Sequence, residues 1–154
     1  MFEKVKRLAM TTAIEADWIL KTMAAMAAAD QRLDAREVDL IQRVYEELTG
    51  QTMDVSGVVS AVQRYARRDV AADLSAVAGS FSPEAKTAIL QGAYRTLAVN
   101  NHVSQAERDA LDRIAGALRL TESERETIIA DADKTESTAV AEDLAVLRLR
   151  ARPE

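Results

Sequence analysis

The amino-acid sequence predicts an all-α fold, a single compact bundle of about seven helices. The 154 residues suit one domain, and their 48% hydrophobic and 29% charged content is a globular balance. Only 2 prolines and 5 glycines interrupt the chain, and apolar residues recur at helical spacing along it. Residues typical of helix starts separate these periodic segments, so each helix can be justified in order.

The first two helices follow from apolar periodicity. Residues 3–29 are predicted to form one long helix, or two helices with a bend at 11–12, because apolar side chains recur at helical spacing. A second helix is expected over 34–49, with its apolar residues on one face. It should stop at Gly50, because glycine suits a left-handed helix end.

Short polar side chains mark the next two helix starts. Asp54 or Ser56 is able to cap a third helix that extends to about Arg68. Asp69 opens a short fourth helix that ends at Gly79. These residue types favour helix starts because their oxygens accept hydrogen bonds from N–H groups of the first turn.

Three further starts are clearer. Ser82 followed by Pro83 is typical of a cap and a first helical residue, and this fifth helix should reach about Val99. Ser104 opens a sixth helix with "SQAE", and Thr121 opens a seventh with "TESE". Both patterns predict a capping box, in which the cap and a glutamate three residues later bond each other's backbone N–H.

The C-terminal segment is predicted to lie outside the bundle. After Asp131 the polar stretch "ADKTEST" is typical of a linker. The last stretch, "AVAEDLAVLRLRA", spaces apolar residues at helical intervals, so it forms either an additional docked helix or a tail. We therefore divide the chain into a helical domain, 1–131, and a linker with a C-terminal helix or tail, 132–154.

A repeat with an offset of 70 positions organises the chain. The matching pairs are Ile19 with Ile89, Leu20 with Leu90, Leu33 with Val103, Glu37 with Glu107, Ile41 with Leu111, Val44 with Ile114, and Leu48 with Leu118. These matches predict two helix–loop–helix units that bury their apolar faces against each other in a pseudo-symmetric bundle.

Composition excludes several classes of function. The absence of cysteine excludes disulfides and thiolate zinc sites, and His102, the single histidine, cannot build a multi-histidine centre. The net charge of −5 weighs against nucleic-acid binding, which needs a basic face. No export core and no uncharged stretch of ~20 apolar residues is present, so we expect a cytoplasmic protein without a membrane span. No nucleophile–base motif predicts catalysis.

The first inter-helix loop, "AAADQRLDARE", concentrates acidic residues. Asp30, Asp34 and Glu37 offer oxygen ligands at a density that suits a hard cation such as Ca²⁺ or Mg²⁺. An EF-hand does not fit, because the sixth position counted from Asp30 is Ala35 rather than glycine, and the twelfth is Ile41 rather than glutamate.

The second loop, "LAVNNHVSQAE", has the same form with less charge. Its equivalents of the three acidic residues are Asn100, Ser104 and Glu107, so one carboxylate remains. Both loops also have a purely structural interpretation, because Asp34 with Glu37 and Ser104 with Glu107 have the spacing of capping boxes. Caps and a superimposed cation or ligand site are both compatible with the sequence.

The segment "AAADQRLDAREVDLIQRVYEELTG", echoed by "LAVNNHVSQAERDALDRIAGALRL", resembles the tellurite-resistance TerB-like family over roughly 15–130. The resemblance implies a compact all-helical domain, found in tellurite and stress-response operons and in some membrane J-domain co-chaperones. In that family the acidic residues of both motifs are proposed to form a metal or ligand site. The residues that correspond here are Asp30, Asp34, Glu37, Asn100 and Glu107.

The chain departs from the family pattern at three positions: Gln31 and Asn101 replace the motif glycines, and Asn100 replaces an aspartate. The leading hypothesis is a non-enzymatic interaction module of a stress or tellurite-resistance system. It would have an unidentified protein partner and a divalent cation (Ca²⁺, Mg²⁺, Mn²⁺ or Zn²⁺) at the acidic loops. The alternatives are a metal-dependent enzyme or small-ligand binder that uses these loops, and a helical adaptor without a ligand.

Overall fold

A computed structural model describes residues 13–29, 33–98 and 103–134, and these residues form seven α-helices and no strand. The helices are α1 (Ala13–Ala29), α2 (Ala35–Thr49), α3 (Val55–Tyr65), α4 (Val70–Val77), α5 (Pro83–Ala98), α6 (Gln105–Ala117) and α7 (122–134), with a 3₁₀ turn at Ala78–Ser80. The predicted all-α class is confirmed. None of these helices, over the described ranges, is long and apolar enough to cross a membrane.

The helices α1 and α5 form the centre of the bundle. Helix α1 contacts α2, α3, α4, α5 and α6, and Ile19 and Met23 on it are fully buried. Gly92 lets α5 approach closely, because a Cβ atom at this position would lie 3.1 Å from Cγ of Met23. Since interiors are close-packed, the missing side chain sets how near the two central helices come.

The predicted duplication is present in the structure. Helix α2 starts after its cap Asp34, and α6 starts after Ser104, at the corresponding position of the repeat. The matched apolar residues that are buried in both copies are Ile19 and Ile89, Leu20 and Leu90, Ile41 and Leu111, and Val44 and Ile114. Helices α2 and α6 each pack against both α1 and α5, so the two units share one core.

The predicted helix starts are confirmed by hydrogen bonds to backbone N–H groups. The cap oxygens and their donors are Asp54 with Gly57 (2.7 Å), Asp69 with Ala72 (3.1 Å), Ser82 with Ala85 (3.1 Å) and Thr121 with Glu124 (3.1 Å). The choice between Asp54 and Ser56 is thereby settled in favour of Asp54.

Two helix ends differ from the prediction. Helix α3 ends at Tyr65 rather than near Arg68, whose N–H donates to the Tyr65 carbonyl (3.3 Å) in a turn. The Arg68 guanidinium then donates to Asp73 (3.1 Å), so the segment turns into the next helix instead of extending α3. Helix α4 ends at Val77, and the chain continues to Ser80 as a 3₁₀ turn.

The two units end with left-handed residues of different types. Gly50 ends α2 with φ 73°, as predicted, whereas Arg119 follows α6 with φ 59°. The Arg119 N–H donates to the Gly116 carbonyl (3.0 Å), and the Leu120 N–H donates to the Ala115 carbonyl (3.4 Å). This pair of bonds is a Schellman motif with arginine at the position that usually holds glycine.

The predicted linker after Asp131 is wrong at its start, because residues 132–134 continue α7. Ala132 is 1% exposed, and the Tyr94 hydroxyl on α5 donates to Asp133 (2.7 Å). Burial of one face therefore extends the helix through a locally polar sequence. The rest of the predicted linker and the C-terminal helix, 135–154, lies outside the described residues, as does the first part of the predicted first helix. The division into two regions stays a prediction.

Candidate cation site at the inter-helix loops

Among the described residues of the candidate site, Asp34 is an exposed acidic residue. Its Oδ1 accepts the Glu37 N–H (2.9 Å), and its Oδ2 lies 3.5 Å from Nη2 of Arg36. The hydrogen bond from the Glu37 backbone, with a smaller contribution from Arg36, lowers the pKa of Asp34 below its usual 3.8. The side chain is 46% exposed, so a charged carboxylate faces solvent at the start of α2.

Glu37 and Glu107 are the buried acidic residues of the candidate site. Each is 1% exposed and lies in the first turn of its helix, where negative charge suits the helix dipole. Glu107 accepts the Ser104 N–H (3.0 Å), and the Ser104 hydroxyl accepts the Glu107 N–H (3.1 Å). The predicted capping box of the second loop is thus confirmed. For the first loop, the structure shows the half of the box in which the Asp34 carboxylate accepts the Glu37 N–H.

The structure brings together only part of the predicted site. Asp34 lies directly beside Glu37, and Glu107 lies beside Ser104. Asp30 and Asn100, together with His102, lie outside the described residues. Within the ranges that are described, no group of three or more acidic, histidine or cysteine residues is arranged to hold a metal ion. The five-residue cation site therefore stays a prediction.

Two buried polar contacts were not predicted from the sequence. Arg95 in α5 is 2% exposed and forms an ion pair with Glu47 of α2. The repeat does not predict this pair, because Arg95 corresponds to Ala25. Glu15 in α1 accepts hydrogen bonds from the Ser82 hydroxyl (3.2 Å) and N–H (3.4 Å) at the start of α5. Both contacts join helices that are distant in sequence, so local spacing carries no signal for them.

The side-chain ligand atoms that Asp34 and Glu37 offer at the first loop are carboxylate oxygens. Carboxylate and carbonyl oxygens suit Ca²⁺, Mg²⁺ or Mn²⁺ better than Zn²⁺, which prefers nitrogen and sulfur ligands in structural sites. The Asp34 carboxylate is already ionised near neutral pH, so a cation need not displace a proton from it.

The fold and these loops define a class of protein: an all-helical domain built from two helix–loop–helix units, each with a buried glutamate at the start of its second helix. A family model described as "Tellurite resistance protein TerB" matches residues 23–130, more than two thirds of the chain. The chain belongs to the TerB family, which confirms the resemblance found in the sequence. Searches of curated proteins and of solved structures each gave no match.

Proposed function

We propose that this chain is a non-catalytic interaction module of a tellurite-resistance or stress system, and that a divalent cation bound at the first inter-helix loop controls it. Membership of the TerB family, whose model is described as a tellurite-resistance protein, supports the association with tellurite resistance. Domains of that family are generally non-catalytic, which supports a role in interaction. In this proposal Asp30, Asp34 and Glu37 supply the charged ligands. Asn100 and Glu107 of the second loop contribute further oxygens.

The observation that carries the cation proposal is the half-exposed, ionised Asp34 beside the buried Glu37. The cap uses Oδ1 of Asp34. Among the described residues, the contact of Oδ2 is a long one, 3.5 Å to the exposed Arg36. A cation could take this second oxygen without breaking the helix cap. The cap and the ion site are therefore compatible in one side chain.

The second loop provides a matched variant for the test. Asp34→Ser gives the first loop the cap that Ser104 provides in the second, so it removes the charge and keeps a helix cap. Calorimetric titration with Ca²⁺, Mg²⁺, Mn²⁺ and Zn²⁺ should show saturable binding to the parent chain and at least a tenfold weaker affinity for Asp34→Ser. The thermal midpoint of the metal-free variant should stay close to that of the parent.

The absence of heat and of any thermal shift with all four ions at millimolar concentration would refute the cation proposal. Equal binding by Asp34→Ser would also refute it. The interaction proposal has a separate test, namely affinity capture from the native host with and without the binding ion. A partner that is captured by the parent only with the ion, and not by Asp34→Ser, is expected. A partner captured equally in all cases would indicate a helical adaptor without a ligand.

A further inference from the structure

A second candidate site lies away from the acidic loops, in a cleft of about 340 Å³ between the first turns of α5 and α7 and the turn that joins α6 to α7. Lys86 and Arg119 line this cleft, together with the hydroxyl side chains of Thr87 and Ser123. Leu120 and the buried Ile128 provide an apolar wall. We propose that this cleft binds a small organic phosphate. This inference does not depend on the cation proposal.

The charge of the cleft favours an anion. In the part of the chain that the structure describes, neither Lys86 nor Arg119 forms an ion pair, whereas Arg68, Arg113 and Arg125 each pair with an aspartate. Two positive charges without such partners in one concave site contrast with the net charge of −5 for the whole chain. The charged residues that line the cleft are Lys86, Arg119 and Glu124, so two cations outnumber one carboxylate and the cleft has a net positive charge that favours an anion.

Glu124, the acidic residue among the described residues that line the cleft, forms a hydrogen bond within its own helix start. Glu124 accepts the Thr121 N–H (2.9 Å) in the capping box of α7. The Thr121 backbone is the main cause of the lowered pKa of Glu124, and Lys86 contributes least. Glu124 is therefore held by the start of its own helix. Its charge offsets one of the two cations, so the cleft keeps one net positive charge for an anion.

The shape and donors of the cleft favour a phosphate with a short carbon skeleton. Ligand sites in proteins usually occupy about 300–1,000 Å³, so this cleft is at the small end of that range and suits a small ligand. Two cations and the exposed Ser123 hydroxyl suit the charge and the several acceptor oxygens of a phosphate group. The apolar wall of Leu120 and Ile128 would contact the carbon atoms.

Arg119 offers a variant that loses the charge and is expected to keep the fold. It has the left-handed conformation that glycine adopts most easily, so Arg119→Gly removes the guanidinium and should leave the thermal midpoint unchanged or raised. Lys86→Gln removes the other charge from a half-buried position. Arg67→Gln is the matched control, because Arg67 is exposed and does not line the cleft.

The experiment is an NMR titration at constant ionic strength with inorganic phosphate and with glycerol phosphate. Saturable shifts should map to residues of the cleft, with glycerol phosphate binding more tightly than inorganic phosphate. Lys86→Gln and Arg119→Gly should each weaken binding about tenfold, and Arg67→Gln should bind as the parent does. The proposal is overturned if the shifts do not saturate, if they map elsewhere, or if Lys86→Gln or Arg119→Gly binds as the parent does.

Discussion

Asp34 caps the second helix of the first unit with a carboxylate, and Ser104 caps the second helix of the second unit with a hydroxyl. The two units also differ at other polar positions. The Arg95–Glu47 ion pair corresponds, through the repeat, to Ala25 and Ala117. Four matched pairs of apolar residues, by contrast, are buried in both units. The comparison teaches that the shared core keeps these apolar pairs in both units, whereas polar groups at the surface and between helices differ within the same fold.

The largest expected effect tests the equivalence of the two units. Ile19 and Ile89 are both fully buried at corresponding positions of the central helices, so Ile19→Ala and Ile89→Ala should each lower the free energy of unfolding by about 2–5 kcal/mol. Urea denaturation measures both. Ile14→Ala is the control, since Ile14 is 67% exposed and its loss should cost under about 0.5 kcal/mol. A large effect in only one unit would contradict their equivalence.

The next prediction concerns the ion pair between Arg95 and Glu47, which has no counterpart at the equivalent positions of the repeat. Glu47→Gln should lower the free energy of unfolding by about 1.5–3 kcal/mol, because a charged partner of the buried Arg95 is removed. Glu46→Gln, at an exposed neighbouring position, should have little effect. A double-mutant cycle with Arg95→Met measures the coupling directly. Additive effects would show that the pair contributes nothing of its own.

Left-handed residues at the two helix ends should respond in opposite directions. Gly50→Ala should destabilise the fold by about 1–2 kcal/mol, because a Cβ atom is disfavoured at φ 73°. Arg119→Gly should stabilise it by up to about 1 kcal/mol, because φ 59° suits glycine better than arginine. Thermal and urea denaturation of both variants test this contrast. A destabilised Arg119→Gly would mean that the contacts of the arginine side chain stabilise the fold by more than its left-handed backbone conformation costs.

The smallest effect distinguishes the two caps by pH. Ser104→Ala should cost about 1 kcal/mol at both neutral and acidic pH, because a hydroxyl cap does not titrate. Asp34 has a pKa lowered from 3.8, so its contribution is present above that value and is lost as the pH falls through the lower folded pKa. Asp34→Ala should therefore destabilise the fold at neutral pH and progressively less below pH 3.8. Urea denaturation across this range would refute the idea if the effect of Asp34→Ala did not change.

Much of the fold could be predicted because its signals are local. The caps at Asp69, Ser82 and Thr121 need only a few neighbouring residues, and Gly50 needs only its own conformational freedom. The repeat was also visible, since it is a comparison within one sequence. The start of the predicted linker was wrong because the stretch after Asp131 is mostly polar in sequence. The burial of Ala132 within it depends on packing against other helices, which the local sequence does not show.

The two candidate sites also differ in whether local sequence signals could identify them. The sequence identified Asp34 and Glu37 as neighbours, since both belong to one loop and the first turn that follows it. It could not identify the cleft lined by Lys86 and Arg119, because these residues are 33 positions apart (119 minus 86) and neither belongs to a motif. Sites of this kind are assembled by helix packing alone.

The sequence by itself determined the all-α class, the order of the helices, most of their starts and the duplicated core. These follow from periodicity and capping, which act over a few residues or one helical turn. The tertiary structure decided which polar groups are buried, such as Arg95 beside Glu47, and where α7 continues beyond Asp131. The physical reason is that burial depends on neighbours from distant parts of the chain. Those neighbours become known only when the helices are packed together.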